Sequence, residues 1–379
     1  MPLRNPFEPP KGGLSLYIHV PFCERKCPYC SFESAVPSPG EGDIWLDALA
    51  AEFNWWRYRI GKARLNTCYI GGGTPTVLTP RQWDALVAVI EDNFDIADHA
   101  EVTVEANPNS LRAEHLAIWR DWRVTRVSVG AQSFDDVELK LLGRLHNARQ
   151  AHDAISAALA SGFSVNADFM FGLPHQTPEN WWRTLHDAVK SGAQHLSLYQ
   201  LSLEQGSRWE NMSPENLTDG YLPYRMAQWY LPTKGFEQYE VSNFAKPGRE
   251  SRHNINYWQG GDYLGAGPGA SGYIAGWRYK NISGINNYAK RMSSSKSAIS
   301  SGERLDKYAV AREASVLALR MNYGIKIADF TKKYGAQALD NVLRILKTFP
   351  DDLYVLGRDS IYLTKKGMRV ANVLWRELI

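Results

Sequence analysis

The chain has 379 residues, of which 44% are hydrophobic and 22% are charged, so it is a globular protein too long for one ordinary core. Its 43 basic and 40 acidic residues leave a formal net charge of +3, which is too small to indicate a surface for nucleic acid. The first 13 residues contain prolines where a signal peptide would need an apolar run, and no later stretch reaches the roughly 20 apolar residues that span a bilayer. We therefore expect a cytoplasmic protein that binds no nucleic acid.

A strand that leads into three cysteines dominates the start of the chain. The alternating segment 14–20 predicts the strand, and it is followed at once by Cys23, Cys27 and Cys30, which are three of the four cysteines in the chain. Thiolates are strong ligands for iron and zinc, and three within eight residues can turn inward around one inorganic centre. A [4Fe-4S] cluster has four irons, so three thiolates would leave one iron open to a cofactor or substrate.

The cysteines could also bind zinc or form disulfides. His19 could complete a Cys3His zinc site with them, although the alternating pattern puts it on the strand rather than in the loop. A disulfide framework is disfavoured because the only further cysteine is the distant Cys68. An iron–sulfur centre therefore fits the pattern better.

The CxxxCxxC spacing, with Tyr29 before the last cysteine, resembles the radical S-adenosylmethionine (SAM) superfamily. The longer string YIHVPFCERKCPYCSF is similar to the coproporphyrinogen dehydrogenase family (HemN) and to its heme chaperone branch (HemW). The resemblance implies that Cys23, Cys27 and Cys30 hold a [4Fe-4S] cluster and that SAM binds the open iron. For the heme chaperone branch it also implies heme as a ligand.

Short apolar strands alternate with amphipathic helices from residue 14 to about 202, which is typical of a parallel sheet with crossover helices. We predict an α/β fold with an open partial (β/α)6 barrel of the radical SAM type and a smaller α+β C-terminal domain. The six predicted strands cover residues 14–20, 66–70, 101–105, 126–129, 164–171 and 195–201. The helices between them are predicted at 44–60, 80–94, 111–121, 135–161 with a break near Asn147, and 178–191.

Polar and glycine-rich segments follow the predicted strands at their carboxyl ends, where α/β barrels carry their chemistry. Without Cβ atoms, Gly72 and Gly73 would let a ligand lie against bare backbone, although three successive glycines could equally form a flexible turn. Glu105 at the barrel mouth would suit an ammonium group or a ribose hydroxyl. Arg144 would suit the SAM carboxylate, unless it is an ordinary surface arginine.

The resemblance to the superfamily assigns more specific contacts with SAM. The GGGTP motif that includes Thr74 would hold the methionyl part, and Gln132 and Asp168 match positions that hold the ribose. Tyr17 matches a further position in contact with SAM. The residues implied to bind SAM are Tyr17, Tyr29, Gly72, Gly73, Thr74, Glu105, Gln132, Arg144 and Asp168.

One departure separates the chain from the oxidase branch of the resembled family. That branch has a further cysteine two residues beyond the last ligand, whereas Ser31 and Phe32 follow Cys30 here. We therefore expect a heme chaperone that does not turn over as a coproporphyrinogen oxidase. An oxidase-like radical SAM enzyme and a HemN-like radical SAM methyltransferase remain the alternatives.

The alternation of predicted strands and helices stops near residue 203, and the sequence beyond it is rich in aromatic residues and glycine. The segment HNINYW at 253–258 matches the HNxxYW motif of the heme chaperone branch, which disfavours the methyltransferase alternative. His253 could be an axial ligand of heme iron or a core histidine, and these two roles are evenly balanced. The candidates to pair with the heme propionates are Arg249, Arg252 and Arg278.

The last eighty residues predict helices near 303–323, 326–334 and 336–347, a hairpin over 351–363 and a final helix over 365–378. We divide the chain into a tail (1–13), a radical SAM core (14–235), an aromatic and glycine-rich accessory region (236–300) and a winged-helix-like C-terminal domain (301–379). The expected partners are heme and an unidentified acceptor hemoprotein. Peripheral membrane contact stays open, as does the choice between monomer and homodimer.

Overall fold

The computed structural model describes Phe7, residues 12–294 and residues 296–379. The predicted tail therefore lies almost entirely outside the described residues. One 12-stranded sheet dominates the fold, and its six central strands are parallel and neighbours in chain order. They are β1 (Leu14–Val20), β2 (Arg64–Gly72), β3 (Asp95–Ala106), β4 (Arg126–Gln132), β5 (Ser164–Phe171) and β6 (His195–Gln200). Because β1 and β6 do not pair with each other, the predicted open partial barrel is confirmed.

The crossover helices are α1 (Glu41–Ile60), α2 (Pro80–Asn93), α3 (Ala113–Asp121), α4 (Asp136–Leu141), α5 (Ala148–Ala160) and α6 (Pro178–Lys190). The predicted break near Asn147 separates α4 from α5. Asn147 is the N-cap of α5, where its side chain accepts from the backbone of Gln150 and the Gln150 side chain accepts in return. This reciprocal pair satisfies two backbone donors that a helix start leaves unpaired, so a new helix begins here.

The two faces of the parallel strands differ in polarity. On β1, Leu16 and Ile18 are fully buried in the same hydrophobic core as Trp45 of α1. The alternate residues Tyr17 and His19 lie on the interior face, where they hydrogen-bond to each other at 3.0 Å. The barrel interior is therefore lined with polar groups while the outer face packs against the helices.

Six further strands extend the sheet at both edges. At the β6 edge lie β7 (Glu237–Glu240) and β8 (Asn243–Ala245), both antiparallel. At the β1 edge, β9 (Tyr263–Ala266) is parallel to β1 and is followed by antiparallel strands β10 (Ser271–Ile274), β11 (Trp277–Asn281) and β12 (Ile299–Arg304). The sequence predicts no strands here because these segments are short and lack an alternating aliphatic pattern. The division of the chain into domains stays a prediction.

The remaining helices before the C-terminal part are α7 (Tyr221–Tyr230), α8 (Arg252–Trp258) and α9 (Ile285–Ser293). Helix α8 lies at the amino-terminal end of the barrel interior. Both oxygens of Glu101 on β3 accept from its first backbone N–H groups, those of Arg252 at 3.0 Å and His253 at 2.9 Å. The HNxxYW motif is therefore at the opposite end of the barrel from the cysteines, which follow the carboxyl end of β1.

The C-terminal part contains α10 (Lys307–Arg320), α11 (Ile327–Tyr334), α12 (Ala336–Leu346), α13 (Lys365–Arg369) and α14 (Ala371–Leu378), with a small sheet of β13 (Ile325–Lys326), β14 (Tyr354–Leu356) and β15 (Ser360–Leu363). The helix predicted from residue 303 begins only at Lys307, because Asp306 caps it and the preceding residues pair with β11. The hairpin is present, and the predicted final helix is interrupted at Val370. No helix among the described residues is long and apolar enough to cross a bilayer.

Candidate functional site

A cavity of about 380 Å³ opens at the carboxyl ends of the parallel strands. Most of the residues that the sequence singled out share its wall, although they come from widely separated strands and loops. They are Cys23, Cys27, Tyr29, Cys30, Gly72, Gly73, Thr74, Glu105, Gln132, Arg144 and Asp168. Among the described residues, Tyr17 and His253 do not line this cavity.

The loop that carries the cysteines is held against the loop after β2. The backbone N–H of Thr74 donates to the carbonyl oxygen of Phe22 at 2.6 Å, directly before the first cysteine. The Thr74 hydroxyl lies 3.4 Å from Cys23 Sγ, and Nη1 of Arg144 lies 3.6 Å from Cys27 Sγ. Two of the three sulfurs thus have a donor aimed at them, which stabilises thiolates.

All three cysteines are partly exposed to the cavity. Burial raises the pKa of Cys30, and the negative charges of Cys27 and Cys23 add to this effect. Three ionised thiols at this spacing repel one another unless a cationic centre lies between them. The donor set therefore fits a metal centre that binds thiolates.

The zinc alternative requires His19 as a fourth ligand, but both of its ring nitrogens already have partners. Nδ1 lies 3.0 Å from the Tyr17 hydroxyl and Nε2 lies 2.6 Å from the carbonyl oxygen of Glu33. Within the described ranges, no three Cys, His, Asp or Glu side chains converge closely enough to hold one ion. His19 is therefore already engaged by protein groups, which disfavours a Cys3His zinc site.

Glu105 faces the cavity with both carboxylate oxygens already hydrogen-bonded to protein. The Tyr69 hydroxyl donates to Oε1 at 2.7 Å, and the backbone N–H of Gly72 donates to Oε2 at 2.9 Å. Burial raises the pKa of Glu105 to about 7, and the nearby Asp168 contributes in the same direction. Glu105 therefore changes charge close to neutral pH.

Asp168 lies on the neighbouring wall and is also held by two donors. The Ser128 hydroxyl donates to Oδ2 at 3.0 Å and Nδ2 of Asn166 donates to Oδ1 at 2.8 Å. Burial raises its pKa, against the effect of these hydrogen bonds. Gln132, which ends β4 beside it, has a φ of 67°, a strained conformation for a residue other than glycine that is often found at functional sites.

Arg144 is one of three basic residues in the cavity wall, together with Arg25 and Lys26. Its Nη2 donates to Asn107 Oδ1 at 2.6 Å and to the carbonyl oxygen of Gly130 at 3.0 Å. These acceptors and Cys27 Sγ are not carboxylates, and the buried Nε has no hydrogen-bond partner in the part of the chain that the structure describes. A buried guanidinium with an unused N–H is suited to an anionic group such as a carboxylate.

Neighbouring protein atoms leave no room for a side chain at Gly72, the last residue of β2, or at Gly73, which follows it. A Cβ on Gly72, which has a φ of 105°, would lie 2.3 Å from His19 Nδ1. A Cβ on Gly73 would lie 2.5 Å from the carbonyl oxygen of Phe22 and 2.7 Å from that of Val20. Close backbone approach to the cysteine loop therefore explains Gly73, and its predicted contact with the methionyl part of SAM stays a prediction.

Tyr17 is separated from the cavity by Tyr69, whose ring centroid lies 6.1 Å from its own. Its predicted contact with SAM stays a prediction. Tyr69, Asn107 and Ser128 also shape the cavity and are not among the residues predicted to bind SAM. Asn107 follows the carboxyl end of β3, and the other two lie on the interior face of their strands, so both features could have identified them.

His253 is buried at the other end of the barrel, and both of its ring nitrogens have partners. Nδ1 lies 2.7 Å from the Thr67 hydroxyl and Nε2 lies 2.8 Å from the Tyr257 hydroxyl. Burial lowers its pKa to about 3, so the ring is neutral. This arrangement matches the core alternative, and ligation of heme would require Tyr257 to release Nε2. The heme-ligand role stays a prediction.

The three arginines proposed for the propionates differ in their surroundings. Arg278 pairs with Glu303 at 2.7 Å and with Glu313 at 3.0 Å. Arg252 donates to the carbonyl oxygen of His99. The carbonyl oxygen of Arg249 accepts from Arg126 at 2.9 Å. Of the three side chains, that of Arg278 is therefore the one already neutralised by carboxylates.

The fold is similar to that of a solved radical SAM enzyme, coproporphyrinogen III oxidase (HemN) from Escherichia coli. The two structures superpose with a TM-score of 0.85 over 98% of this chain and 90% of the other, at 23% sequence identity. Similarity at this level of identity establishes the architecture and leaves activity open.

Sequence relatives cover the whole chain. Residues 17–188 match the radical SAM superfamily. The heme chaperone HemW of Mycobacterium tuberculosis is 34% identical over 391 aligned positions, which cover 100% of this chain and 98% of the relative. The heme chaperone HemW of Bacillus subtilis is 33% identical, with coverage of 94% and 97%. The chain therefore belongs to the HemW family of the radical SAM superfamily.

Proposed function

We propose that this protein is a heme chaperone that holds a [4Fe-4S] cluster, binds SAM and transfers heme to an acceptor hemoprotein. The observation that carries the proposal is the single cavity in which Cys23, Cys27 and Cys30 meet Arg144 and the polar ends of the parallel strands. The name of the full-length relatives supports the chaperone role.

The cluster would be held by the three cysteines, and SAM would occupy the rest of the cavity. Arg144, in the cavity wall, would pair with the SAM carboxylate. Glu105 would accept from an ammonium or hydroxyl group, and Asp168 with Gln132 would hold the ribose. When bound, the cluster would supply an open iron for SAM and a source of one electron.

Heme would bind separately from this cavity if His253 is its axial ligand. Imidazole is a common ligand of heme iron, and Tyr257 and Trp258 offer aromatic faces beside it. Against this, His253 is 1% exposed. Binding of heme there would therefore require α8 to open, and a change in the structure of this end of the barrel would accompany it.

The experiment that tests the function is an anaerobic absorption spectrum of the reconstituted protein with and without added heme. We expect a broad iron–sulfur absorption that heme leaves intact and a new Soret band on addition of heme. Mixing the heme-loaded protein with an excess of an apo-hemoprotein should move the Soret band to the spectrum of the acceptor. Failure to bind heme in a cluster-loaded, folded sample would refute the chaperone role.

A further inference from the structure

A row of buried polar side chains crosses the barrel interior next to the cavity. Strand register brings Ser128, Asn166 and His195 side by side on β4, β5 and β6, because Ser128 pairs with Asn166 and Asn166 pairs with His195. Each is at most 4% exposed. Barrel interiors are usually filled with branched aliphatic side chains, so a buried polar row at this level requires an explanation.

Asn166 joins this row to Asp168 in the cavity wall. Its Nδ2 donates to Asp168 Oδ1 at 2.8 Å and to Ser128 Oγ at 2.7 Å. Its Oδ1 faces the other way and lies 2.6 Å from His195 Nδ1. Because an amide oxygen can only accept, the proton of the imidazole must be on Nδ1.

The second nitrogen of His195 continues the row away from the cavity. Nε2 lies 2.8 Å from the Tyr239 hydroxyl, whose oxygen lies 3.3 Å from the backbone nitrogen of Ser251 at the start of α8. Burial, and after it the positive charge of Arg126, hold the pKa of His195 well below its usual value, so the ring is neutral. Nε2 therefore accepts from Tyr239, and Tyr239 accepts from Ser251.

This order of donors and acceptors matches the observed orientation of the Asn166 amide. The two ends of an amide are nearly equal in size, so shape alone does not prevent rotation by half a turn. In the rotated state, Oδ1 of Asn166 would face Asp168 Oδ1, two acceptors in contact. The repulsion from the Asp168 carboxylate disfavours that state, and the His195 N–H and the Ser197 hydroxyl, which both donate to Oδ1, stabilise the observed one.

We propose that His195 is a positioning residue that holds Asp168, through the Asn166 amide, in the orientation that receives the ribose of SAM. His195 itself does not line the cavity. The inference rests on the proposed role of Asp168 in binding SAM. It adds a residue to that site which is two hydrogen bonds removed from Asp168.

A double-mutant cycle with His195→Phe and Asp168→Ala tests the inference on the anaerobic, cluster-loaded protein. His195→Phe should weaken SAM binding roughly tenfold, measured by equilibrium dialysis, whereas in the Asp168→Ala background the same change should have less than about a twofold effect. His195→Gln should restore most of the affinity, because an amide can donate to Asn166 and accept from Tyr239. His115→Phe is the matched control, since this buried histidine lies in α3 away from the cavity.

A second measurement needs no SAM. The carboxyl pKa of Asp168, followed by carbon-13 NMR and assigned with Asp168→Asn, should rise further in His195→Phe, because the hydrogen bond from Asn166 lowers it in the native protein. Nitrogen-15 spectra should show the proton of His195 on Nδ1. If His195→Phe reduces the folded fraction, Tyr239→Phe removes only the hydroxyl that donates to Nε2 and should give a smaller effect in the same direction.

The outcomes separate this inference from the proposed function. If the cluster-loaded native protein does not bind SAM, the proposed function fails, and the Asp168 pKa still decides whether His195 acts on it. If SAM binds but His195→Phe weakens it equally in both backgrounds, or leaves the Asp168 pKa unchanged, the positioning role is refuted while SAM binding stands.

Discussion

Besides Arg25, Lys26 and Glu204, the cavity wall contains one cationic and two acidic groups, Arg144, Glu105 and Asp168. A buried charge is costly unless a partner of opposite charge compensates it. Among the described residues, the acceptors of Arg144 are an amide, a carbonyl and a thiol, so an anionic ligand would compensate its charge. SAM carries a carboxylate, an ammonium group and ribose hydroxyls, which correspond to these three residues.

The cysteines provide the most direct prediction at this scale. Replacing Cys27 with alanine should reduce the iron content from about four per chain to near zero after anaerobic reconstitution, because each thiolate holds one iron of the cluster. Iron and sulfide analysis with the visible spectrum measures this. Cys68→Ala is the control, since Cys68 is fully buried on β2 outside the cavity. Full cluster loading of Cys27→Ala would overturn the ligand assignment.

The raised pKa of Glu105 predicts how SAM binding depends on pH. Above its pKa of about 7 the carboxylate is charged and can pair with a cationic group, and below it the group is neutral. Affinity for SAM should therefore fall as the pH decreases through 7, by roughly tenfold if one charge-assisted hydrogen bond is lost. Equilibrium dialysis at pH 6 and pH 8 measures the difference.

Glu105→Gln should abolish most of this pH dependence, because the amide does not titrate. Glu179→Gln, on the exposed start of α6, should retain it. Equal pH dependence in the native protein and Glu105→Gln would exclude Glu105 as its source.

Close packing at Gly73 couples the loop after β2 to the loop that carries the cysteines. In Gly73→Ala the added Cβ would lie 2.5 Å from a backbone oxygen next to Cys23, so the cysteine loop must shift. We expect a loss of ~1–3 kcal/mol in the free energy of unfolding, as for other overpacked sites, and reduced cluster content. Denaturant unfolding and iron analysis measure both. Gly12→Ala, which meets no atom within 4 Å, is the control, and native stability in Gly73→Ala would contradict the packing argument.

At the scale of elements, α8 closes the end of the barrel opposite the cysteines. Glu101 holds the first turn of the helix, and the HNxxYW motif places His253 and Tyr257 one turn apart so that they hydrogen-bond inside it. The helix has only seven residues, so tertiary contacts rather than helix propensity keep it formed. A helix held in this way can be released if its polar contacts are exchanged for a ligand.

Replacing His253 and replacing Tyr257 should have opposite effects on heme binding. If His253 is an axial ligand, His253→Ala should shift or abolish the Soret band without changing the iron–sulfur content. Tyr257→Phe should strengthen heme binding, because it removes the hydroxyl that occupies Nε2. Heme titrations of both variants measure this.

If His253 is instead a core residue, His253→Ala should lower stability by ~1–3 kcal/mol because the Thr67 and Tyr257 hydroxyls lose their partner. Melting curves on the same preparations separate the two roles. A folded His253→Ala protein with the native heme spectrum and affinity would refute ligation.

At the scale of the whole molecule, the fold is shared with an oxidase, but the cavity mouth differs from the pattern of the oxidase branch. Phe32 lines the cavity and is 61% exposed at the position where that branch has cysteine. With reduced cluster and SAM, we therefore expect no conversion of coproporphyrinogen to protoporphyrinogen. Product analysis by chromatography, with a HemN oxidase as the positive control, measures this. Sustained decarboxylation would place the protein among the enzymes.

The sequence alone was sufficient for the parallel strands of the barrel and named 11 of the residues that line the cavity. Aliphatic alternation marks β1 to β6, and the polar residues that end these strands must meet because parallel strands present their carboxyl ends at one edge. The capping pair at Asn147 is likewise a local signal, so the break between α4 and α5 was visible. These features depend on residues close together in the chain.

The tertiary structure alone decided features that depend on pairing between distant segments. The edge strands β7 to β12 are too short to show a pattern and exist because β1 and β6 offer them unpaired backbone groups. The partners of His253, and the row from Ser251 to Asp168, follow from the register of strands that lie far apart in sequence. A shift of one residue in register would turn those side chains to the opposite face, so no local pattern in the sequence could have predicted which groups meet.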